Sequence, residues 1–79
     1  MKVPRDVDAS DLITVFVRYG YTVTRQTGSH IRLSKQSDEG THNITIPNHS
    51  PIKVGTLQSI IRDFCNKNDL SIDEIYRQL

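Results

Sequence analysis

Hydrophobic residues near the start of the chain recur with the period of an α-helix. The hydrophobic positions of this stretch are Leu12, Ile13, Phe16 and Val17. They are spaced i, i+1, i+4 and i+5, which predicts one apolar stripe along an amphipathic helix. Asp8 or Ser10 can act as the N-cap, and Asp11 then lies in the first turn, where it complements the helix dipole. Gly20 is a natural C′ residue, so the helix is expected to end at Tyr19.

From residue 21 onward the hydrophobic period changes to two, which predicts β-strands. In the first strand, Tyr21, Val23 and Arg25 alternate with Thr22, Thr24 and Gln26. Its Thr, Val and Tyr content favours this conformation. The second strand is predicted over residues 30–34 and the third over residues 42–46. The positions of these two strands that are expected to face the core are Ile31, Leu33, Ile44 and Ile46.

Polar and turn-forming residues separate the strands. Residues 27–29 leave room only for a tight hairpin turn between the first two strands. Residues 35–41 are predicted to form a polar hairpin connection, in which Gly40 is available for a positive φ. Pro47 ends the third strand because proline cannot donate a ladder hydrogen bond, and Pro51 stiffens the other end of the loop that follows.

Two further helices are predicted in the last third of the chain. The first begins around Val54, and its hydrophobic positions are Leu57, Ile60, Ile61 and Phe64. Their spacing of i, i+3, i+4 and i+7 is the strongest helical pattern in the chain. Ser71 and Glu74 have the spacing of a capping box for a short last helix that continues through Ile75 to Leu79.

This order of elements predicts an α+β fold. A helix, three antiparallel strands, a second helix and a short third helix would form a two-layer sandwich with both main helices on the apolar face of the sheet. The 79 residues suit one small domain over residues 1–79, with its core over about residues 8–70. The hydrophobic content of 35%, without tryptophan, means that Ile, Leu and Val must supply most of the core.

Charge and cysteine content narrow the classes of function. Ten Lys and Arg against nine Asp and Glu give a net charge of +1, which is not the strongly basic total expected of a protein that binds phosphates over its whole surface. Any nucleic-acid binding must therefore depend on local placement. The single cysteine, Cys65, lies in a helical apolar pattern and is expected to be a buried structural thiol. The first residues lack the apolar segment of a signal peptide, and we expect a cytoplasmic location.

Candidate chemistry centres on His30, the first residue of the second predicted strand. The alternation of that strand places His30 on the face expected to be free of helices, among Thr22, Thr24, Arg32 and Thr45. An imidazole can take the proton from a ribose 2′-hydroxyl or protonate a departing 5′-oxygen, while a guanidinium binds the phosphate. None of these positions is a carboxylate, so the pattern favours phosphodiester cleavage without a metal and predicts no cofactor.

The other two histidines differ in their expected distance from His30. A hairpin joined by residues 35–41 would place Ser34 opposite His42 and His30 opposite Ile46. His49, just beyond the end of the third strand, could then approach His30 as a second acid or base. His42 is expected at the opposite end of the sheet, away from both.

Each of these residues also has a purely structural interpretation. An exposed histidine on a strand is commonly a polar surface residue, and His49 could simply cap a backbone group in its loop. Arg32 and Lys35 could be solvated surface charges. Gly28 could serve turn geometry, or its missing side chain could let a phosphate approach the backbone.

Four segments of the sequence resemble the HicA toxin family, also called YcfA-like. They are Tyr19-Gly20-Tyr21, Arg25-Gln26-Thr27-Gly28-Ser29-His30, Ile44-Thr45-Ile46-Pro47-Asn48-His49 and Gly55-Thr56-Leu57-Gln58-Ser59-Ile60-Ile61-Arg62. The resemblance covers roughly residues 8–70. It implies a fold similar to double-stranded-RNA-binding domains and the activity of an mRNA interferase, the toxin of a type II toxin–antitoxin pair.

The resemblance also assigns roles to residues and names a partner. It implies that His30, in the Gly-Ser-His motif, is catalytic, and that a HicB-type antitoxin binds the toxin and masks this site. Folds of this kind read A-form RNA through shape, phosphate and 2′-hydroxyl contacts. The residues expected to contact RNA are Gly28, Ser29, Arg25, Arg32, Lys35 and Lys53. The alternatives to an mRNA endoribonuclease are a non-catalytic RNA-binding module that uses the same surface and a protein-interaction module.

Overall fold

Three helices and one three-stranded antiparallel sheet make up the structure, a computed structural model that describes residues 2–79. The elements in chain order are α1 (Ala9–Arg18), β1 (Thr22–Gln26), β2 (His30–Ser37), β3 (Gly40–Pro47), α2 (Val54–Asn68) and α3 (Ile72–Tyr76). The strands lie in the order β1-β2-β3, and each pairs antiparallel with its neighbour. The predicted α+β arrangement is therefore confirmed.

Helix α1 begins and ends at the predicted capping residues. Asp8 is the N-cap, and its backbone N–H donates to the Asp11 carboxylate at 2.9 Å. Gly20 follows the helix with a φ of +96°, the conformation expected of a C′ glycine. The buried face differs from the predicted stripe, because Val15 is buried while Val17 is 50% exposed.

The hairpin between β2 and β3 is tighter than predicted. Ser37 pairs with Gly40, so the connection consists of Asp38 and Glu39 alone rather than residues 35–41. Gly40 has a φ of +114°, as the sequence predicted. The polar residues before the turn extend β2 because a two-residue turn lets the ladder continue to its end.

The shorter turn moves the register of β2 and β3 by one residue. His30 lies opposite Pro47 and Ser34 opposite Asn43, so the predicted partners Ile46 and His42 are wrong. The faces of the strands are nevertheless as predicted, since Ile31 and Ile46 pair with each other and both are buried.

The core lies between one face of the sheet and the helices. Phe16 of α1 stacks on Phe64 of α2, with ring centroids 4.2 Å apart. The buried core residues are Val7, Ala9, Leu12, Val15, Phe16, Tyr21, Ile31, Leu33, Ile44, Ile46, Ile52, Leu57, Ile61, Phe64, Cys65 and Ile75. The other face of the sheet remains open, which is where His30 was expected.

The C-terminal helices differ from prediction in their bounds. Helix α2 continues to Asn68, and Asp69 ends it in the left-handed conformation at a φ of 55°. Ser71 is the N-cap of α3, but within residues 2–79 its side chain makes no capping hydrogen bond, so the predicted capping box is wrong. Helix α3 also stops at Tyr76 rather than continuing to Leu79. None of the helices in residues 2–79 is long and apolar enough to cross a bilayer.

Candidate active site

A shallow cleft of about 170 Å³ lies on the open face of the sheet. Its lining residues are Arg25, Thr27, His30, Arg32 and Thr45, contributed by all three strands and the turn between β1 and β2. The predicted neighbours Arg32 and Thr45 are therefore beside His30. Thr22 instead pairs with Ser34, farther along the sheet.

A β-bulge brings Arg25 into this cleft. Val23 pairs with Leu33, but Arg25 pairs with Arg32, so Thr24 is an extra residue in the ladder. Strict alternation would have placed Arg25 on the same face as Val23. Because a bulge redirects the residues that follow it, the two arginines lie side by side on the open face.

Three hydrogen bonds hold the turn that carries His30. The Thr27 N–H donates to the His30 carbonyl at 2.9 Å, and the Thr27 hydroxyl donates to the same oxygen at 3.3 Å. On the other side, the Asn48 N–H donates to the Ser29 carbonyl at 2.9 Å. The backbone of His30 is therefore tied to the end of β1 and to the loop after β3.

The imidazole of His30 has one nitrogen engaged and one available. Nδ1 lies 3.0 Å from the Ser29 hydroxyl, within hydrogen-bonding distance. Within residues 2–79, Nε2 makes no hydrogen bond. An exposed imidazole in this arrangement can exchange a proton with a bound molecule through Nε2.

The cleft is electropositive. Arg25 and Arg32 contribute two guanidinium groups, and no carboxylate lines the cleft within the described residues. Neither arginine forms a salt bridge within residues 2–79. Both guanidinium groups are therefore free to make the bidentate hydrogen bonds that they form with phosphate.

The turn does not itself require glycine at position 28. The φ of Gly28 lies outside the left-handed region, and a Cβ added there would meet no atom within 4 Å. Neither a positive φ nor a close contact at the Cβ position is therefore the reason for glycine at this position. The missing side chain does leave the backbone beside the cleft accessible to a ligand.

The remaining residues predicted to form the site lie outside the cleft. His49 follows Asn48 and is exposed, and its backbone N–H donates to the Pro47 carbonyl at 2.9 Å. Lys35 donates to Asn68 at 2.8 Å, and its ammonium group lies 5.6 Å from the centroid of the Tyr21 ring, on the side of the sheet that carries the helices. Lys53 is the exposed N-cap of α2.

A polar network that the sequence did not predict surrounds the third histidine. The Tyr21 hydroxyl accepts a hydrogen bond from the Asn68 amide at 2.9 Å and lies 2.6 Å from His42 Nδ1. His42 Nε2 lies 3.2 Å from the Asp63 carboxylate. Because the Asp63 carboxylate can only accept, Nε2 carries a proton, and in the neutral imidazole Nδ1 then accepts the proton of the Tyr21 hydroxyl. His42 pairs with Lys35, five residues along β2 from His30, so it lies away from His30 as expected.

This network borders a cavity that is larger than the cleft, but it has the features of a structural element. The cavity has a volume of about 370 Å³ and is lined by Lys67, Asp69 and other residues of both charges. Burial raises the pKa of the Tyr21 hydroxyl, an effect that the Asn68 hydrogen bond opposes and the charge of Asp63 reinforces. The network thus satisfies a buried hydroxyl, and the smaller cleft contains the chemically suited groups.

Two observations concern other forms of chemistry. Cys65 is buried, and burial together with the charge of Glu74 raises the pKa of its thiol. The prediction of a buried structural cysteine is confirmed. Within residues 2–79, no group of three or more His, Cys, Asp and Glu side chains is arranged to hold a metal ion.

Comparison with known proteins identifies the family. Residues 9–64, more than half of the chain, match the family model described as the HicA toxin of bacterial toxin–antitoxin systems. Searches against curated proteins and against solved structures gave no significant match, so the expected likeness to double-stranded-RNA-binding domains stays a prediction. The matched segment contains all three strands and every residue that lines the cleft. The chain therefore belongs to the HicA toxin family.

Proposed function

We propose that this toxin is an endoribonuclease that cleaves mRNA, with His30 as a general acid or base. The observation that carries the proposal is the placement of an exposed imidazole on an open sheet face, beside two guanidinium groups that form no salt bridge with any residue from 2 to 79. Proton transfer and phosphate binding are the two requirements of phosphodiester cleavage, and this cleft has a group for each. Family membership supports the role of a toxin.

The chemistry follows from the groups in the cleft. The ribose 2′-oxygen attacks phosphorus, and the bond from phosphorus to the 5′-oxygen breaks. His30 either takes the proton from the 2′-hydroxyl or gives a proton to the departing 5′-oxygen. Arg25 and Arg32 bind the non-bridging phosphate oxygens and stabilise the charge that develops there. Because no carboxylate lines the cleft within the described residues, we propose that these steps require no metal.

His49 is our candidate for the second proton-transfer group. The hydrogen bond from Asn48 to Ser29 places the backbone next to His49 against the turn that carries His30. Substitution of His49 should lower the turnover number if its imidazole takes part and leave it unchanged if the residue is only part of the loop. Lys53 is proposed to contact RNA beyond the cleft, whereas Lys35 is not included because it lies on the other side of the sheet.

The proposed partner is an antitoxin of the HicB type that covers the cleft. Membership of a toxin–antitoxin family implies an antitoxin, and a positively charged cleft is a surface that an acidic segment of a partner can cover. We propose that the toxin binds both the antitoxin and its mRNA substrate in the cytoplasm.

Expression in a bacterial host without an antitoxin tests this proposal. We expect growth arrest and loss of intact mRNA, both abolished by His30→Ala and both relieved by co-expression of a HicB-type protein encoded next to the toxin. Growth arrest and RNA cleavage that persist in His30→Ala would refute the catalytic role. RNA binding that weakens with salt, without cleavage, would instead support a non-catalytic RNA-binding module.

A further inference from the structure

Ser29 is the only side chain that contacts the imidazole of His30 by a hydrogen bond within residues 2–79. Its hydroxyl lies 3.0 Å from Nδ1. The two nitrogens of an imidazole point in different directions, so fixing one of them decides where the other points. The side chain next to the proposed catalytic residue therefore controls the direction of Nε2.

The backbone on both sides of this contact is held in place. The Ser29 carbonyl accepts from the Asn48 N–H at 2.9 Å, and the His30 carbonyl accepts from the Thr27 N–H at 2.9 Å. With both backbones tied, the main remaining freedom is rotation of the two exposed side chains. A hydrogen bond between those side chains restricts that rotation.

A hydroxyl can hold the imidazole in both protonation states of a proton transfer at Nε2. Nε2 can take a proton only while the single proton of the neutral imidazole is on Nδ1, and Nδ1 still carries that proton after the transfer. The Ser29 oxygen therefore accepts from Nδ1–H both before and after His30 takes or gives a proton at Nε2.

We propose that Ser29 is a positioning residue that orients His30 so that Nε2 is presented to RNA in the cleft. This inference rests on the proposed function. It adds that Ser29 acts on the reaction by orienting His30, in place of the direct RNA contact expected from the sequence. Ser29 touches no reacting atom in this account. Its effect is to raise the fraction of time for which the imidazole is correctly oriented.

The kinetic test compares Ser29→Ala with Ser29→Thr, which keeps the hydroxyl. Ser29→Ala removes one hydrogen bond to His30, and its net free energy corresponds to a fall of roughly threefold to tenfold in kcat. KM should change by less than about twofold. The fall should be the same at every pH, because the Ser29 oxygen accepts from Nδ1–H in both protonation states of His30. Ser29→Thr should recover most of the activity.

Ser37→Ala is the matched control. Its hydroxyl also holds a hairpin turn, where it donates to the Gly40 carbonyl at 3.3 Å and accepts from the Glu39 N–H at 3.2 Å, but at the opposite end of β2. We expect Ser37→Ala to cleave RNA at the wild-type rate. An equal loss in both variants would show that the turn, and not the orientation of His30, is what matters.

A second readout is independent of cleavage. In protein labelled with ¹⁵N-histidine, the Nδ1 shift of His30 should move toward that of a free imidazole in Ser29→Ala and stay unchanged in Ser37→Ala. An unchanged Nδ1 shift, a wild-type kcat in Ser29→Ala, or no recovery in Ser29→Thr would each overturn the proposal. Cleavage that persists in His30→Ala would instead contradict the proposed function, and the nitrogen shifts would still decide whether Ser29 orients His30.

Discussion

Replacement of Gly28 by alanine should make the protein more stable and less active. The new methyl group would point into open space, with no atom within 4 Å, and the backbone at Gly28 is outside the left-handed region. Alanine at such a position stabilises a fold by about 0.4–1 kcal/mol, because it restricts the unfolded chain. For a domain of this size, that corresponds to an increase of about 2–8 °C in Tm.

The expected loss of activity has a different cause. A phosphate that approaches the backbone of the turn would meet the methyl group and be displaced from His30. A displacement of about 1 Å can cost roughly a hundredfold in rate, so we expect kcat/KM to fall by about that factor. Thermal unfolding followed by circular dichroism and initial cleavage rates on a labelled RNA measure the two effects on the same sample.

Gly55→Ala is the matched control for this experiment. A Cβ at Gly55 also meets no atom within 4 Å and the residue lies in α2, outside the cleft. Because Gly55 lies in the first turn of the helix, we expect Gly55→Ala to gain less than about 1 kcal/mol of stability from helix propensity and to cleave RNA normally. A Gly28→Ala variant that is less stable than the wild type, or that cleaves RNA equally well, would contradict this role of Gly28.

Three further predictions concern the cleft, the polar network and the cysteine. Arg32→Ala should raise KM roughly tenfold and reduce the slope of log affinity against log salt concentration by about one, as measured in a salt titration of RNA binding. Arg32→Lys should restore that slope without the full affinity, because lysine keeps the charge but cannot make the bidentate hydrogen bonds. Tyr21→Phe should lower the free energy of unfolding by about 1–3 kcal/mol, because it leaves groups of His42 and Asn68 without their partner, and it should cleave RNA normally below its Tm. The Cys65 thiol, whose pKa burial raises, should react with a thiol reagent in denaturant but only slowly in the native protein, and rapid native labelling would contradict its burial.

The sequence predicted the order of the elements and the faces of β2 and β3, because these depend on the local hydrophobic period. The change from a helical to a twofold period at residue 21 identified the sheet, and the alternation of Ile31 and Leu33 placed His30 on the open face. Register could not be predicted in this way. It depends on the two-residue turn at Asp38 and Glu39, and polar residues around a turn are compatible with several loop lengths.

Two features of the site required contacts between distant parts of the chain. The bulge at Thr24 leaves no signature in the alternation of β1, so no pattern in the sequence indicates that Arg25 lies beside Arg32. The network of Tyr21 and His42 joins residues from two strands and α2, and no spacing along the chain indicates it. The contact between Ser29 and His30 joins neighbouring residues, yet only the orientation of the side chains reveals it.

In the proposed reaction, His30 transfers a proton during RNA cleavage without a metal. The most direct measurement is the cleavage of a defined RNA by the purified protein in EDTA, with His30→Ala compared against His42→Gln, a histidine variant on the other side of the sheet. We expect the wild type and His42→Gln to cleave RNA in EDTA and the rate of His30→Ala to fall by a factor of about 10²–10⁴. Cleavage by His30→Ala at the wild-type rate, or a wild-type activity that EDTA abolishes, would contradict the proposed reaction.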